Sequence, residues 1–166
     1  MKKILFLLSL TLLFAQFQAF AQRPLEASIS LVDKLPPEFF GTWHVVSIQK
    51  YCSNPLLNTP YSVDIWNISR LGDVITLTNP QTGAIASVKI DEVNGNSIKF
   101  TRTANSNEEF VVETPNITIN GENFIGTDKI VIENYKFGEH ASTDVWVFNV
   151  KAKKISGAST KDLLKR

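Results

Sequence analysis

The residues with the most reactive side chains are few in this 166-residue chain and lie far apart in its sequence. His44 and His140 are the two histidines, and Cys52 is the single cysteine. No Gly-x-Ser-x-Gly or His-Glu-x-x-His motif occurs, and no second cysteine is available for a metal site. Carboxylates such as Glu108 and Glu109 flank turn sequences, where acidic side chains face solvent. The sequence therefore predicts a protein that is not an enzyme and that has no metal site and no cofactor.

Arg102 is the charged residue with the strongest case for a binding role. It has the same two-residue phase as Ile98 and Phe100, which places it on the apolar face of a strand. A charge on a buried face needs a partner, because an unpaired buried charge is very costly. Two interpretations are open: Arg102 contacts a carboxylate or phosphate of a ligand, or it pairs with a neighbouring Glu or with water at the strand end.

Aromatic residues are abundant for a single small domain, with 11 Phe, 3 Trp and 3 Tyr. They either line an apolar cavity with a few polar groups or fill a solid core. In the first case the ligand-binding residues are predicted to be Trp43, Trp66, Phe100, Arg102, Phe110, Trp146 and Phe148.

The elements that must position these residues are β-strands. From Gly41 onward, runs with a two-residue period are separated by turn signals, of which Asn94-Gly95 is the strongest. The runs give eight well-defined strands and a short one at Ile117 and Ile119, with no room for a crossover helix. A long antiparallel meander has two open edges unless it closes on itself. The predicted fold is therefore an all-β, antiparallel up-and-down β-barrel of about eight strands, with a short N-terminal helical turn after Pro36-Pro37.

Short motifs resemble those of the calycins, the superfamily that contains the lipocalins and the fatty-acid-binding proteins. Phe40-Gly41-Thr42-Trp43 resembles the G-x-W signature at the first strand. The stretch from Gly72 to Leu77 resembles a strand start of the fatty-acid-binding branch. Thr143-Asp144 resembles part of the lipocalin T-D-Y motif, with Val145 in place of the tyrosine. The resemblance spans about residues 41 to 151.

The resemblance implies a lipocalin-like barrel that holds a small apolar or amphipathic ligand. It also implies that Trp43 closes one end of the barrel and packs against a basic side chain near the last strand, for which Lys151, Lys153 and Lys154 are candidates. The Arg-x-Tyr pair with which the fatty-acid-binding branch meets a carboxylate is missing from Val145 to Val150. A second implied function is a secreted protein-binding module, such as a protease inhibitor, that inserts its N-terminal segment into a protein partner.

The N-terminus has the pattern of a bacterial-type secretory signal peptide over residues 1 to 21. Basic Lys2-Lys3 precedes an apolar run, and Ala19-Phe20-Ala21 offers a small-x-small cleavage site. The alternative, a transmembrane anchor, would need a longer uninterrupted apolar stretch. The expected location is secreted or periplasmic, with no integral membrane segment after cleavage.

The rest of the chain is predicted to contain an irregular arm at residues 22 to 35, the barrel at 36 to 155 and a flexible basic tail at 156 to 166. Removing residues 1 to 21 removes Lys2 and Lys3 but no acidic residue, so the net charge changes from +1 to −1. A chain with this charge balance lacks the basic footprint of a nucleic-acid-binding protein.

Overall fold

The chain forms a closed barrel of eight antiparallel strands. The computed structural model describes residues 30–157. Each strand pairs with the next one in sequence, and β8 pairs with β1 to close the ring. The predicted all-β class and the antiparallel barrel of about eight strands are confirmed. The strands are β1 (Gly41–Cys52), β2 (Tyr61–Leu71), β3 (Val74–Thr78), β4 (Ile85–Asn94), β5 (Ser97–Asn105), β6 (Glu109–Asn120), β7 (Asn123–Lys136) and β8 (Glu139–Ser156).

The division of the predicted strands was wrong around Pro115. The predicted short strand at Ile117 and Ile119 is the second half of β6, and β7 begins at Asn123. Proline has no N–H to donate, and the β5–β6 pairing is interrupted beside Pro115, between Lys99↔Asn116 and Arg102↔Glu113. The pairing resumes in the same register, while Pro115 stays paired with Asp128 on the other side. A proline that predicts a break is thus accommodated within a continuous strand.

A layer of aromatic side chains closes one end of the barrel. Phe39, in a 3-10 turn at Pro37–Phe39, packs edge-on against Phe100, with ring centroids 5.6 Å apart. Trp43 packs against Phe124 at 5.0 Å. All four side chains are fully or almost fully buried. This aromatic layer is the closed end of the interior.

Trp43 is also contacted by the segment before β1 and by the last strand, β8. Its indole Nε1 donates a hydrogen bond to the Phe39 carbonyl at 3.1 Å. Lys154 Nζ lies 4.9 Å from the centroid of the Trp43 ring and donates to the Glu38 carbonyl. Gly41 approaches β8 so closely that a Cβ atom there would collide with the Ser156 carbonyl oxygen. The Gly-x-Trp sequence therefore lies where β1 and β8 close the ring.

The segment before β1 packs against the hydrophobic core. Its first part is a 3-10 turn at Leu31–Lys34, after which Leu35 is buried in the core. Asp33 accepts a hydrogen bond from Arg70 Nη2 at 2.7 Å. Within residues 30–157 no helix is long and apolar enough to cross a bilayer. The predicted signal peptide, residues 22–29 of the predicted arm and residues 158–166 of the predicted tail lie outside the described residues.

Candidate functional site

The interior is not solid: a cavity of about 270 Å³ lies above the aromatic layer, at the other end of the barrel. Thr59 and Ser62 are exposed at its rim, whereas Trp66 and Phe148 are buried in its wall, so the cavity extends from solvent into the core. The lining residues are Ser47, Thr59, Ser62, Asp64, Trp66, Arg102, Glu113, Asp128, Ile130, Ile132, Trp146 and Phe148.

The predicted ligand-binding residues fall into three groups. Four of them line the cavity together: Trp66, Arg102, Trp146 and Phe148. Trp43 and Phe100 are completely buried and belong to the aromatic layer beneath it. Phe110 lies elsewhere, beside the β5–β6 and β7–β8 turns in a surface hollow that Tyr135 also lines. The reason is its phase, because Phe110 is three residues from the inward-facing Glu113 and so points to the opposite face of β6.

Arg102 is paired within the protein. Its Nε and Nη2 atoms each lie 2.5 Å from a different oxygen of Glu113, which is a bidentate contact. The two residues are direct cross-strand partners on β5 and β6. The guanidinium carbon also lies 5.4 Å from the centroid of the Trp66 ring. Of the two interpretations of Arg102, the structure shows pairing with a neighbouring Glu.

Asp128 completes this buried polar cluster from β7. It is 3% exposed, and its Oδ1 atom has no hydrogen-bond partner among the described residues. Burial, and then the charge of Glu113 and a hydrogen bond with it, raise the pKa of Asp128 to about 9, while Arg102 opposes the shift. Asp128 therefore carries a proton at neutral pH, and that proton allows its carboxyl group to bond to the Glu113 carboxylate.

Asp64 orients the Trp66 wall of the cavity. Its Oδ2 atom accepts a hydrogen bond from Trp66 Nε1 at 3.0 Å. Its Oδ1 atom accepts from the Ile65 backbone N–H at 2.8 Å and from the Asn79 amide group. Both oxygens are thus occupied by donors of the protein. The indole is held with one face toward the Arg102 guanidinium.

Glu113, Asp128 and Asp64 were not among the predicted site residues. Each has a signal in the sequence, because each shares the phase of buried neighbours: Glu113 with Ile117, Asp128 with Phe124, and Asp64 with Trp66. A search for charged residues in phase with apolar ones, which identified Arg102, would have found them as well. Their mutual contacts depend on strand register, which the pattern of a single strand does not give.

The reactive residues considered first lie away from the cavity. His44 is exposed on the outer face of β1, and His140 is exposed near the β7–β8 turn. The Cys52 thiol donates to the Asn54 carbonyl oxygen at 3.1 Å. Among residues 30–157 no three His, Cys, Asp or Glu side chains are arranged to hold a metal ion. The cavity lining itself offers hydroxyl and carboxyl groups, one guanidinium group and apolar surface.

The raised pKa of Asp128 predicts a pH-dependent difference between the parent protein and Asp128→Asn. The native state binds this proton more tightly than the unfolded state, so Asp128 lowers the stability of the parent as pH rises from about 4 to about 9. The amide group that replaces the carboxyl group in the variant has no such proton to lose. As pH rises from 5 to 8, we expect the unfolding free energy of the variant to increase by about 2–4 kcal/mol relative to that of the parent. Urea denaturation at each pH measures this difference.

A matched control is Asp73→Asn, which removes a carboxylate whose side chain is 85% exposed. Its unfolding free energy is expected to follow that of the parent across the same pH range. Parallel profiles for Asp128→Asn and the parent would show that Asp128 ionises normally and would contradict the prediction.

The fold and the cavity together define a class: a small closed β-barrel with a partly open internal cavity. Comparison with protein-family models, with curated proteins and with solved structures finds no match to this chain.

Proposed function

We propose that this protein is an exported, lipocalin-like binding protein that holds one small apolar or amphipathic ligand inside the barrel. The observation that carries the proposal is the cavity, which combines an apolar wall with a small number of buried polar groups. That combination is typical of small-molecule binding sites, in which apolar contact provides affinity and a few polar groups fix orientation. Export rests on the signal-peptide pattern of residues 1 to 21.

The construction of the barrel supports binding rather than a purely structural role. The aromatic layer of Trp43, Phe124, Phe39 and Phe100 fills one end completely. The other end also contains large aromatic side chains, but there they surround a cavity of about 270 Å³. These side chains are Trp66, Trp146 and Phe148. A concave, partly apolar cavity that opens to solvent beside a well-packed layer has the form of a small-molecule site.

The calycin resemblance supports the same function. Gly41 and Trp43 of the Gly-x-Trp motif lie at the closed end, and Lys154 covers the Trp43 ring. This is the basic contact near the last strand that the resemblance implies. The cavity is slightly smaller than the roughly 300–1,000 Å³ of most ligand pockets. The proposal therefore favours a ligand with one or two rings over a long-chain lipid.

The experiment uses three compounds with one phenylpropyl body and different head groups: 3-phenylpropylamine, 3-phenylpropan-1-ol and 3-phenylpropanoate. We expect at least one of them to bind with 1:1 stoichiometry in isothermal titration calorimetry. Ser47→Trp places an indole in the cavity and should weaken that binding at least about tenfold, because the indole occupies space and covers wall that the ligand would otherwise contact.

The matched control is Ser69→Trp, the same substitution at an exposed position on β2. It should leave the affinity unchanged. Binding that Ser47→Trp does not weaken would locate the compounds outside the barrel. That result, or the absence of binding by all three compounds, would contradict the proposed function.

A further inference from the structure

We propose that the ligand of this cavity carries a positively charged hydrogen-bond donor, an organic ammonium group, and that this group docks on the Asp128 carboxyl. The inference rests on the proposed function and narrows it from any small amphipathic molecule to an amphipathic amine. Three features of the lining carry it: the balance of charges, the occupancy of the acceptor atoms and the nature of the wall around them.

The charges that line the cavity are unbalanced. Arg102 is the one cation among the lining residues, whereas Asp64, Glu113 and Asp128 provide three carboxyl groups. Arg102 and Glu113 neutralise each other through their bidentate contact. Even with a proton on Asp128, Asp64 leaves the cluster with an excess negative charge. A cationic ligand compensates that charge, and an anionic ligand would add to it.

The open hydrogen-bonding capacity of the cluster is that of an acceptor. Both Glu113 oxygens accept from Arg102, and both Asp64 oxygens accept from donors of the protein. Asp128 differs, because its Oδ1 atom is buried and has no hydrogen-bond partner among the described residues. A buried acceptor in this condition is costly unless a bound molecule supplies the donor. The ligand must therefore donate at this position.

A ligand carboxylate does not fit the same arrangement. To reach Arg102 it would have to displace Glu113 from a bidentate contact between directly paired strands. It would also bring a third negative charge next to Glu113 and Asp64. The Arg102 interpretation that involves a ligand anion is therefore replaced by one in which Arg102 holds Glu113, and Glu113 in turn bonds to Asp128.

The rest of the lining suits the organic part of an amine. Ile130 and Ile132 follow Asp128 on the inward face of β7, and Phe148 is its direct partner on β8. Trp146 lies one inward position further along β8. An aromatic face attracts an ammonium group and also packs against apolar groups. This wall can therefore contact both the ammonium group and the apolar body of an amine.

The three phenylpropyl compounds test the inference at pH 7, because they differ only in the head group. We expect 3-phenylpropylamine to bind at least about tenfold more tightly than 3-phenylpropan-1-ol, since its hydrogen bond to Asp128 is charge-assisted. We expect 3-phenylpropanoate to bind most weakly. An alcohol or carboxylate that binds as tightly as the amine would overturn the inference.

Two variants connect the preference to Asp128. Asp128→Val removes the acceptor and should reduce the amine-to-alcohol affinity ratio about tenfold. Asp73→Val makes the same change at an exposed position and should leave the ratio as in the parent. An unchanged ratio in Asp128→Val would overturn the inference. The order of the three compounds in the parent protein decides the question alone if Asp128→Val does not fold.

The two proposals fail in different ways. If none of the compounds binds, or if Ser47→Trp leaves their affinities unchanged, the cavity is not a binding site and both proposals fail. If Ser47→Trp weakens binding but the amine is not preferred, the proposed function stands and the ammonium inference alone is wrong.

Discussion

Replacing Arg102 with methionine is expected to lower the free energy of unfolding by about 3–5 kcal/mol. The change removes the cation that holds both Glu113 oxygens and leaves Glu113 and Asp128 as two neighbouring carboxyl groups in the interior. Both side chains of the pair are largely buried, with exposures of 20% for Arg102 and 11% for Glu113. Solvent therefore compensates little of the loss. Urea denaturation followed by circular dichroism measures the effect.

The double variant Arg102→Met/Glu113→Leu distinguishes the loss of a partner from the loss of a stabilising pair. Replacing both members with apolar residues leaves no unpaired charge, so most of the stability should return. Arg70→Met is the surface control: Asp33, its partner, has a side chain that is 52% exposed, and the expected loss is below about 1 kcal/mol. A loss of similar size for Arg102→Met and Arg70→Met would contradict the account of a buried pair.

Phe100→Ala is expected to have the second large effect, a loss of about 3–5 kcal/mol in unfolding free energy. Phe100 is completely buried and packs edge-on against Phe39 at 5.6 Å and against Trp66 at 6.3 Å between ring centroids. Its removal leaves a void between the aromatic layer and the cavity wall. Thermal and chemical denaturation of the variant measure the loss.

The control for Phe100→Ala is Phe137→Ala, because Phe137 is fully exposed in the β7–β8 turn. Its substitution should change the unfolding free energy by no more than about 0.5 kcal/mol. A change below about 1 kcal/mol for Phe100→Ala would mean that the closed end of the barrel is loosely packed. It would contradict the contrast between a filled end and an open end on which the proposed function depends.

The sequence predicted the barrel well because its strands alternate strongly. Ile98, Phe100 and Arg102 share one face of β5, and this phase correctly gave the inward direction of all three. Turn signals such as Asn94-Gly95 separated neighbouring strands, and their short lengths correctly favoured pairing between neighbours. Pro115 misled the division of β6, because the sequence does not show that the missing N–H falls beside an interrupted stretch of the ladder.

The buried polar cluster was harder to predict because it is assembled across strands. Arg102, Glu113 and Asp128 come from β5, β6 and β7, and only the register brings them together. The number of aromatic residues also does not show which of them line the cavity and which form the aromatic layer beneath it. Nor does it show that Phe110 belongs to neither group. The two-residue period of β6 would have excluded Phe110. Val111 and Glu113 point inward, and Phe110 is an odd number of residues away from each of them. The open space itself depends on the packing of all the side chains together.

The three tryptophans give the most direct test of whether the cavity binds a ligand. Their indole N–H groups donate to different partners: Trp66 to Asp64, Trp146 to the Leu57 carbonyl and Trp43 to the Phe39 carbonyl. Trp66 and Trp146 line the cavity, whereas Trp43 lies in the aromatic layer beneath it. They can therefore report separately in a nitrogen-15 NMR titration with 3-phenylpropylamine.

We expect the indole signals of Trp66 and Trp146 to shift and saturate together while that of Trp43 stays nearly in place. Shifts that saturate only at Trp43 or at amides of the outer face, or the absence of any saturating shift, would contradict ligand binding inside the barrel.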